Sequence, residues 1–514
     1  MRSFGSMIRR FLLWSFLIFT ALLIAIILFE NYRGQRAWNS YRKAWEAKGE
    51  RFTPDAFVPA PVPDDQNFAS TPYFQPFLDY TIDPTDRAHP HHRPDEAAFE
   101  RNRDLVKLEA SPNSRKAKWP ESSTWQLAQS VDLRPWLEYL GGETNLAALS
   151  RQEVAKEVLL LLRRYDSVLD ELRTASGRPH SAFPVHYEET LQALLPHLAA
   201  LKNLGQILRL RTLARLEAGQ PAEALQDLQL SLRLGDSLKS ERFLISQLVR
   251  VALTDMHVHC VWEGLAQHRW NETQLVEIQA ALERLNILED YGPTMRMERA
   301  CAIHFIEQLR TGKYRDLAPP AAEDNDASAV ADYSRTRYLP GGIFAHNQLA
   351  IARVFQVHIL PLVDAVQHRV NVEGAIQAGE LPELRTFHPY RVFAGLFVPS
   401  VTRSAERFAR TQTSLDLALI ACALERHYLA TRSYPKTLDA LAPKYLSAVP
   451  HDIINGQPLK YHPMEGGRFV LYSVGWNQTD DQGVPGLAET RIPRPDGRKG
   501  DWVWRYTETD KPRP

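Results

Sequence analysis

An uncharged apolar stretch constrains the fold of this chain more than any other feature. The residues from Phe11 to Phe29 are mostly Leu, Ile, Phe and Ala, and none of these nineteen residues is charged. A helix of that length, at about 1.5 Å per residue, covers roughly 28 Å, which matches the hydrocarbon thickness of a bilayer. The pattern therefore predicts that residues 11–29 form a single transmembrane helix in contact with lipid.

A cleaved signal peptide is the alternative interpretation of this stretch. The apolar run exceeds the usual signal-peptide core of about 7–15 residues, and the following Glu30-Asn-Tyr-Arg-Gly has no small-x-small cleavage site. The pattern thus favours a retained signal-anchor. Arg2, Arg9 and Arg10 favour a cytoplasmic N-terminus, although basic residues also follow the stretch. We expect the bulk of the chain to be extracytoplasmic.

The overall composition narrows the partners and the thiol chemistry. Lysine plus arginine and aspartate plus glutamate number 61 each, so the formal net charge is zero. Binding to nucleic acid relies on basic residues that neutralise phosphates, so we expect no nucleic-acid partner. The cysteines, Cys260, Cys301 and Cys422, are sparse and far apart, which is not a disulfide framework. Their apolar surroundings predict buried thiols, with one intramolecular disulfide left open.

Changes of pattern along the chain predict four segments. The first holds the N-terminal tail and transmembrane helix, and the second a juxtamembrane helix, a proline-rich linker and an irregular region. The third has apolar residues at helical spacing and predicts an α-helical body. The fourth predicts a small α+β module. The segments are residues 1–30, 31–149, 150–400 and 401–514. The fold class is therefore mainly α.

Two helix predictions depend on local signals. Residues 34–53 read as helix, because Trp38, Tyr41 and Trp45 recur at i, i+3 and i+7. These aromatic rings also suit a lipid interface, so both environments remain open. Further along, Pro340-Gly-Gly-Ile-Phe predicts the start of a long helix through Gln367.

Residues 401–514 predict a small antiparallel sheet packed on one long helix. Pro435 ends the helix, since proline cannot continue it. Three runs then read as strands, because they are rich in β-branched and aromatic residues and bounded by turn residues. They begin at Leu459, Arg468 and Asp501. Such a sheet and helix bury each other's apolar faces.

The order of motifs in this module resembles a known family. Ser433-Tyr-Pro-Lys is followed by Thr437-Leu-Asp-Ala-Leu, then by Leu459-Lys-Tyr and by Phe469-Val-Leu-Tyr-Ser-Val-Gly. This order resembles the globular part of pilin-like proteins, most closely the major pseudopilin of type II secretion systems. The resemblance implies a structural module rather than a catalytic one. The chain departs from the family because the stretch at residues 11–29 has no prepilin leader motif and several hundred residues intervene.

A second resemblance covers the region after the membrane stretch. Gly34-Gln-Arg-Ala-Trp and Val62-Pro-Asp-Asp-Gln-Asn-Phe-Ala resemble the opening of a group of uncharacterised membrane-anchored bacterial proteins. Pro340-Gly-Gly-Ile-Phe resembles the same group. This resemblance implies a location in the bacterial inner membrane and supplies no activity.

One loop carries a candidate metal site. Asp480 and Asp481 lie in a polar loop between two predicted strands, and Asp501 begins the next strand. Calcium takes six to eight oxygen ligands, and carboxylates are among them. The matching loop of the major pseudopilin binds calcium, so the resemblance implies these three aspartates as ligands. The alternative is an ordinary polar turn rich in Asp and Asn. No other cofactor is expected.

No motif in the chain assigns a catalytic residue. Ser433 and Lys436 match Ser-x-x-Lys in letters, but Pro435 prevents the helical turn that this motif needs. We therefore interpret the chain as a non-enzymatic envelope scaffold or interaction protein with protein partners, linked to a secretion or pilus-like system. The alternatives are an envelope hydrolase whose site lies in the helical body, and a peptide- or solute-binding protein.

Overall fold

A computed structural model describes residues 2–83, 91–111, 119–120, 125–142, 149–312, 339–381, 386–464, 468–490 and 493–506, with the side chains of residues 2–8 left out. The described part is mainly helical, as predicted. Its helices are α1 (Arg2–Glu46), α2 (Gln75–Leu78), α3 (Glu96–Leu105), α4 (Arg134–Tyr139), α5 (Arg151–Leu162), α6 (Asp166–Ala175), α7 (Pro196–Glu217), α8 (Pro221–Asp236), α9 (Leu244–Ala266), α10 (Glu272–Glu283), α11 (Leu288–Thr311), α12 (Gly341–Val354), α13 (Val372–Glu380), α14 (Val392–Thr402) and α15 (Ser404–Thr431).

The strands are short and form antiparallel pairs. They are β1 (Thr81–Ile82), β2 (His91–His92), β3 (Val363–Asp364), β4 (Arg369–Val370), β5 (Lys460–Met464), β6 (Arg468–Ser473), β7 (Pro485–Leu487), β8 (Pro495–Gly500) and β9 (Trp502–Arg505). β5, β6 and β9 make a three-stranded sheet with β6 in the centre, whereas β1–β2, β3–β4 and β7–β8 are two-stranded.

The first helix runs without a break from the apolar stretch into the body. α1 has 45 residues and is about 68 Å long at 1.5 Å per residue. Its large apolar side chains between Phe11 and Phe29, apart from the partly exposed Ile27, are 47–71% exposed. Within the described part of the chain, α1 is the one helix long and apolar enough to cross a membrane. Such a surface is unfavourable in water, and a bilayer is the solvent that accommodates it.

The part of α1 that follows the apolar stretch packs on the body. Trp38 is 3% exposed and meets Phe52 edge-to-face, with ring centroids 5.6 Å apart. Tyr41 and Trp45 are half-buried against the same core. The sequence leaves open whether these rings contact protein or the lipid interface. In the structure they pack against the protein core. The helix ends at Glu46, a few residues before the predicted end, and Gly49 follows with a φ of 94°, in the left-handed region.

The helical body is built around α7 and α9, which are buried along most of their length. α8, α9 and α5 pack against α7, while α10 and α15 bring the C-terminal part into the same hydrophobic core. Side chains cap the N-termini of several helices. Ser150 and Asn271 each form a capping box with the residue three positions later, which satisfies backbone N–H groups at the starts of α5 and α10.

The long helix predicted from Pro340 through Gln367 is wrong beyond Leu362. α12 ends at Val354, the helical path continues as a π-helix at Phe355–Ile359 and a 3-10 turn at Leu360–Leu362, and the chain then makes the β3–β4 hairpin. Pro361 lies in the turn before β3, where it cannot donate the backbone hydrogen bond that a helix needs. Asp364 accepts hydrogen bonds from the backbone N–H groups of residues 366 and 367, which stabilises the turn instead.

The C-terminal sheet has the predicted strands in an antiparallel register. Tyr461 pairs with Leu471, and Leu471 pairs with Trp504. Leu471 and Trp504 are completely buried, and the sheet packs on α15. The α+β arrangement of this region is therefore observed, whereas its likeness to a pseudopilin stays a prediction, as does the division of the chain into four segments.

Candidate functional site

We define the membrane-proximal junction as the first turns of α1 after Phe29 together with α12 and residues 386–396. In this junction α1 and α12 approach each other closely. A Cβ atom on Gly342 would lie 2.2 Å from the carbonyl oxygen of Glu30, and one on Gly34 would lie 2.6 Å from the carbonyl oxygen of Gly342. The two backbones therefore touch, which only glycine permits.

Polar groups surround this backbone contact. The side chain of Asn31 accepts a hydrogen bond of 2.7 Å from the backbone N–H of Gly342, at the start of α12. Glu30 accepts two hydrogen bonds from Arg33, of 3.1 and 2.6 Å. The unpaired N–H groups at a helix start favour such acceptors. The Asn31–Gly342 hydrogen bond thus joins the end of the apolar stretch to α12, while the Arg33–Glu30 bonds lie within α1.

Tyr390 brings a third segment to the junction. Its ring lies 5.4 Å from the Arg33 guanidinium carbon and 4.5 Å from the His346 ring, measured to centroids. A hydrogen bond to Glu30 raises the pKa of the Tyr390 hydroxyl. Burial, and then the charge of Arg33, lower the pKa of His346, so its imidazole is neutral at pH 7.

Buried charges hold the residues that follow α1, Glu50 and Arg51, to α11. Arg299 of α11 is completely buried, and its guanidinium donates to Glu50 and to the carbonyl oxygen of Arg51, both at 2.7 Å. Arg296 donates to the same carboxylate at 3.1 Å. Burial opposes ionisation of Glu50, but the hydrogen bonds from these two arginines lower its pKa. A buried guanidinium requires such a partner.

A groove of about 570 Å³ opens beside the junction, between α1, α12 and α14. Its volume is within the range of small-molecule sites. Arg353, Arg391 and three histidines line it together with Tyr41, Trp45 and Tyr390, and none of the described lining residues is acidic. Arg353 lies 5.8 Å over the ring of Tyr41, and Arg391 donates to the Thr386 hydroxyl. The groove is therefore electropositive and aromatic.

The predicted calcium ligands come from two segments: Asp480 and Asp481 lie in the loop after β6, and Asp501 lies directly before β9. Protein groups already bond to them. Asp501 is 2% exposed, and its two oxygens accept from the backbone N–H groups of Asp481 and Gly483, at 3.2 and 2.7 Å. Asp480 accepts from the Tyr472 hydroxyl at 3.1 Å. Burial, and the nearby negative charges of Asp481 and Asp480, raise the pKa of Asp501. Calcium at Asp480, Asp481 and Asp501 stays a prediction.

Metal-type side chains do not converge elsewhere in the described segments either. Within those segments, no group of three His, Cys, Asp or Glu residues, the three aspartates included, is placed to hold a metal ion. Cys260, Cys301 and Cys422 are all buried free thiols, as predicted. Burial raises the pKa of Cys260 to about 12, so the thiol stays protonated and unreactive.

A buried polar cluster that sequence reasoning missed joins α9–α10 to the C-terminal module. His268 Nδ1 lies 2.6 Å from Glu425, and the Tyr434 hydroxyl donates to the other carboxylate oxygen at 2.8 Å. The hydrogen bond with Glu425 raises the pKa of His268. Residues 268 and 425 are too far apart in sequence for any local pattern to pair them.

The sequence does not predict the junction, although both segments that form it resemble the same group of membrane-anchored proteins. These segments are Gly34-Gln-Arg-Ala-Trp and Pro340-Gly-Gly-Ile-Phe, and the structure brings them into contact. The available signal was a glycine in each, next to the end of the apolar stretch in one and at a helix start in the other. Comparison with known proteins adds no relative, because no family model, curated protein or solved structure matches this chain.

Proposed function

We propose that this chain is a single-pass protein of the bacterial inner membrane whose helical body lies outside the cytoplasm and acts as a non-enzymatic scaffold or interaction protein. The main support for the proposal is the course of α1. Its first half is apolar and exposed, and the helix continues without a break into a second half that packs on the body. A helix that only targets the chain for export has no need of such a junction. A rigidly held anchor, by contrast, fixes the body at a defined position above the bilayer.

The C-terminal sheet supports the choice of a structural role. β5, β6 and β9 pack on the long helix α15, which is the arrangement that the pseudopilin resemblance implies. We propose that this module contacts a partner in a secretion or pilus-like apparatus. Purification from detergent and mass spectrometry of co-purifying proteins test this role. Recovery of only lipid and monomeric chain would count against it.

Membrane insertion is tested by placing charges in the apolar stretch. The double variant Ile18→Arg/Leu22→Arg should lose membrane association, because each arginine near the bilayer centre costs about 2.5–3.5 kcal/mol on insertion scales. The matched control is Ile245→Arg/Leu160→Arg, which replaces the same residue types at 54% and 55% exposure on the body. Sedimentation after carbonate extraction measures the outcome. Equal membrane association of both variants would contradict the anchor.

Binding of an anionic solute is a second candidate function, and the groove beside the junction favours it. Arg353 and Arg391 line the groove and can donate charge-assisted hydrogen bonds to an anion, while the Glu30 carboxylate beside the groove is already paired with Arg33. Calorimetric titration with inorganic phosphate and with short acidic peptides tests this candidate. Arg353→Gln/Arg391→Gln should abolish any heat of binding. An equal heat of binding in the variant and the unmodified chain would contradict binding of anions in this groove.

A further inference from the structure

An exposed apolar face lies next to the point where α1 leaves its apolar stretch. Phe387 is 88% exposed, Val392 41% and Leu396 57%. Val392 and Leu396 are four residues apart on α14 and therefore share one side of that helix. We call Phe387, Val392 and Leu396 the 387–396 face.

The helix that carries this face is apolar on both sides. On its inner side, Phe393 and Phe397 meet Phe305 of α11, with ring centroids 6.0 and 5.6 Å apart. No residue from 392 to 402 is charged, while Arg391 and Arg403 flank the helix. A helix that is hydrophobic all round belongs in a core or in lipid, yet the outer side of α14 is exposed.

The position of the face along α1 follows from Tyr390, which lies between Phe387 and Val392. Tyr390 contacts Glu30 and Arg33, the first turn after the apolar stretch. Four helical residues rise about 6 Å. The polar headgroup layer on each side of a bilayer is roughly 5–8 Å thick. If residues 11–29 span the hydrocarbon, Tyr390 and its neighbours lie at headgroup level.

The surroundings of the face have the composition of a membrane interface. Tyr32 is 62% exposed on α1, and Arg36 donates to its hydroxyl at 3.0 Å. Arg391 carries a further guanidinium beside the exposed rings. Aromatic rings and arginines are enriched at headgroup level, where rings enter the upper acyl region and guanidinium groups bind phosphate.

We propose that the 387–396 face is a second membrane contact, which inserts into the headgroup and upper acyl region of the leaflet that α1 leaves. The proposal rests on the proposed anchoring by residues 11–29. Insertion buries apolar surface that would otherwise face water, and it adds a contact away from the axis of α1. Two contacts fix both the tilt of the body and its rotation about the anchor, which a single helix leaves free.

Site-directed fluorescence in vesicles tests this contact. Phe387→Cys, Val366→Cys and Ile18→Cys are each labelled with the fluorophore NBD and reconstituted into phosphatidylcholine–phosphatidylglycerol vesicles that contain nitroxide-labelled lipids. Val366 is the matched control, because it is 91% exposed and lies on the β3–β4 turn. Ile18 reports the anchor itself. The native cysteines are buried, so they should not compete for the label.

The three labels separate the two proposals. We expect lipids with a headgroup nitroxide to quench the label at 387 at least about twofold more than the label at 366, with a blue-shifted emission. Quenching at 18 but not at 387 would overturn the second contact and leave the anchor standing. No quenching at 18 would overturn both. A blue shift at 387 without quenching would mean that protein rather than lipid covers the face, and would also overturn the proposal.

A second variant tests the face without a label at its centre. Leu396→Asp should reduce the quenching of the label at 387, because a carboxylate resists insertion among anionic headgroups. Val366→Asp should leave that quenching unchanged. Both positions are exposed, so neither substitution removes a core contact. Equal quenching in the two variants would contradict the assignment.

Discussion

At the membrane-proximal junction, α1 touches α12 through backbone atoms, and just after α1 a buried ion pair holds Glu50 to α11. The C-terminal sheet, by contrast, is packed by aromatic rings. Gly34 and Gly342 have no side chains to interpose, and Arg299 depends on the Glu50 carboxylate. In the C-terminal module, Phe469 meets Tyr434 and Tyr506 edge-to-face, with centroids 5.0 and 5.3 Å apart. The junction therefore depends on the fit and charge of a few groups, and the sheet on buried volume.

The difference predicts how each region responds to change. Backbone contacts and buried ion pairs are intolerant, because any added atom collides and any removed partner leaves a charge unpaired. Aromatic packing tolerates substitutions that keep the volume. The junction should thus be sensitive to substitutions that are conservative by size, and each of the following experiments tests part of that contrast.

The largest effect is expected from removing the carboxylate that pairs with Arg299. Glu50→Ala leaves a completely buried guanidinium without its charge partner and should lower the free energy of unfolding by about 3–5 kcal/mol. Glu100→Ala is the control, because its pair with Arg103 is about 40% exposed and should be worth less than about 1 kcal/mol. Chemical unfolding in detergent measures both. Similar losses would contradict the importance of the buried Arg299–Glu50 pair.

A smaller loss is expected from adding one methyl group between α1 and α12. Gly342→Ala places a Cβ atom against the Glu30 carbonyl and should cost about 1–3 kcal/mol by overpacking. Gly379→Ala is a matched control within α13, since nothing lies within 4 Å of its Cβ position. It should stabilise the chain slightly, because alanine favours helix. Thermal melting compares them, and a neutral Gly342→Ala would show that the helices separate easily.

Acidification should act in opposite directions on the two regions. The pKa of His346 is lowered by burial, so the junction is fully stable above the unfolded pKa of about 6.5 and loses stability as the pH falls below it. The pKa of His268 is raised by Glu425, so its contribution is present below about 6.5 and is lost as the pH rises through the folded pKa.

Hydrogen exchange, corrected for intrinsic rates, measures this contrast. On going from pH 7.5 to 5.5, protection of α12 should fall, while protection of the C-terminal end of α15 should rise. His346→Gln and His268→Gln should each remove the change in its own region. Parallel changes in both regions would refute the assignment.

The smallest effect concerns the aspartate loop. If Asp480, Asp481 and Asp501 bind calcium, thermal melting in millimolar calcium should shift upward relative to chelator. Asp480→Asn should remove that shift and keep the fold, because this side chain is exposed. The absence of any shift in the unmodified chain would exclude the calcium prediction.

The same contrast explains which parts of the fold the sequence predicts. The strands that begin near Leu459 and Arg468 follow from local alternation, and the long apolar helix at residues 11–29 follows from composition. The α1–α12 contact joins residues about 310 positions apart, and the His268–Glu425 pair joins residues 157 positions apart. The local sequence around a glycine or a histidine does not predict which distant residue it contacts. The end of the helical path at Leu362 is not predicted, because apolar residues continue past Pro361.

The unbroken course of α1 has a mechanical consequence. If residues 11–29 lie in lipid as proposed, one helix lies both in the bilayer and against the protein core, so a tilt of its first half tilts the body that packs on its second half. A change in bilayer thickness would then alter the angle between the body and the membrane surface. The orientation of the body would in this way depend on the thickness of the lipid.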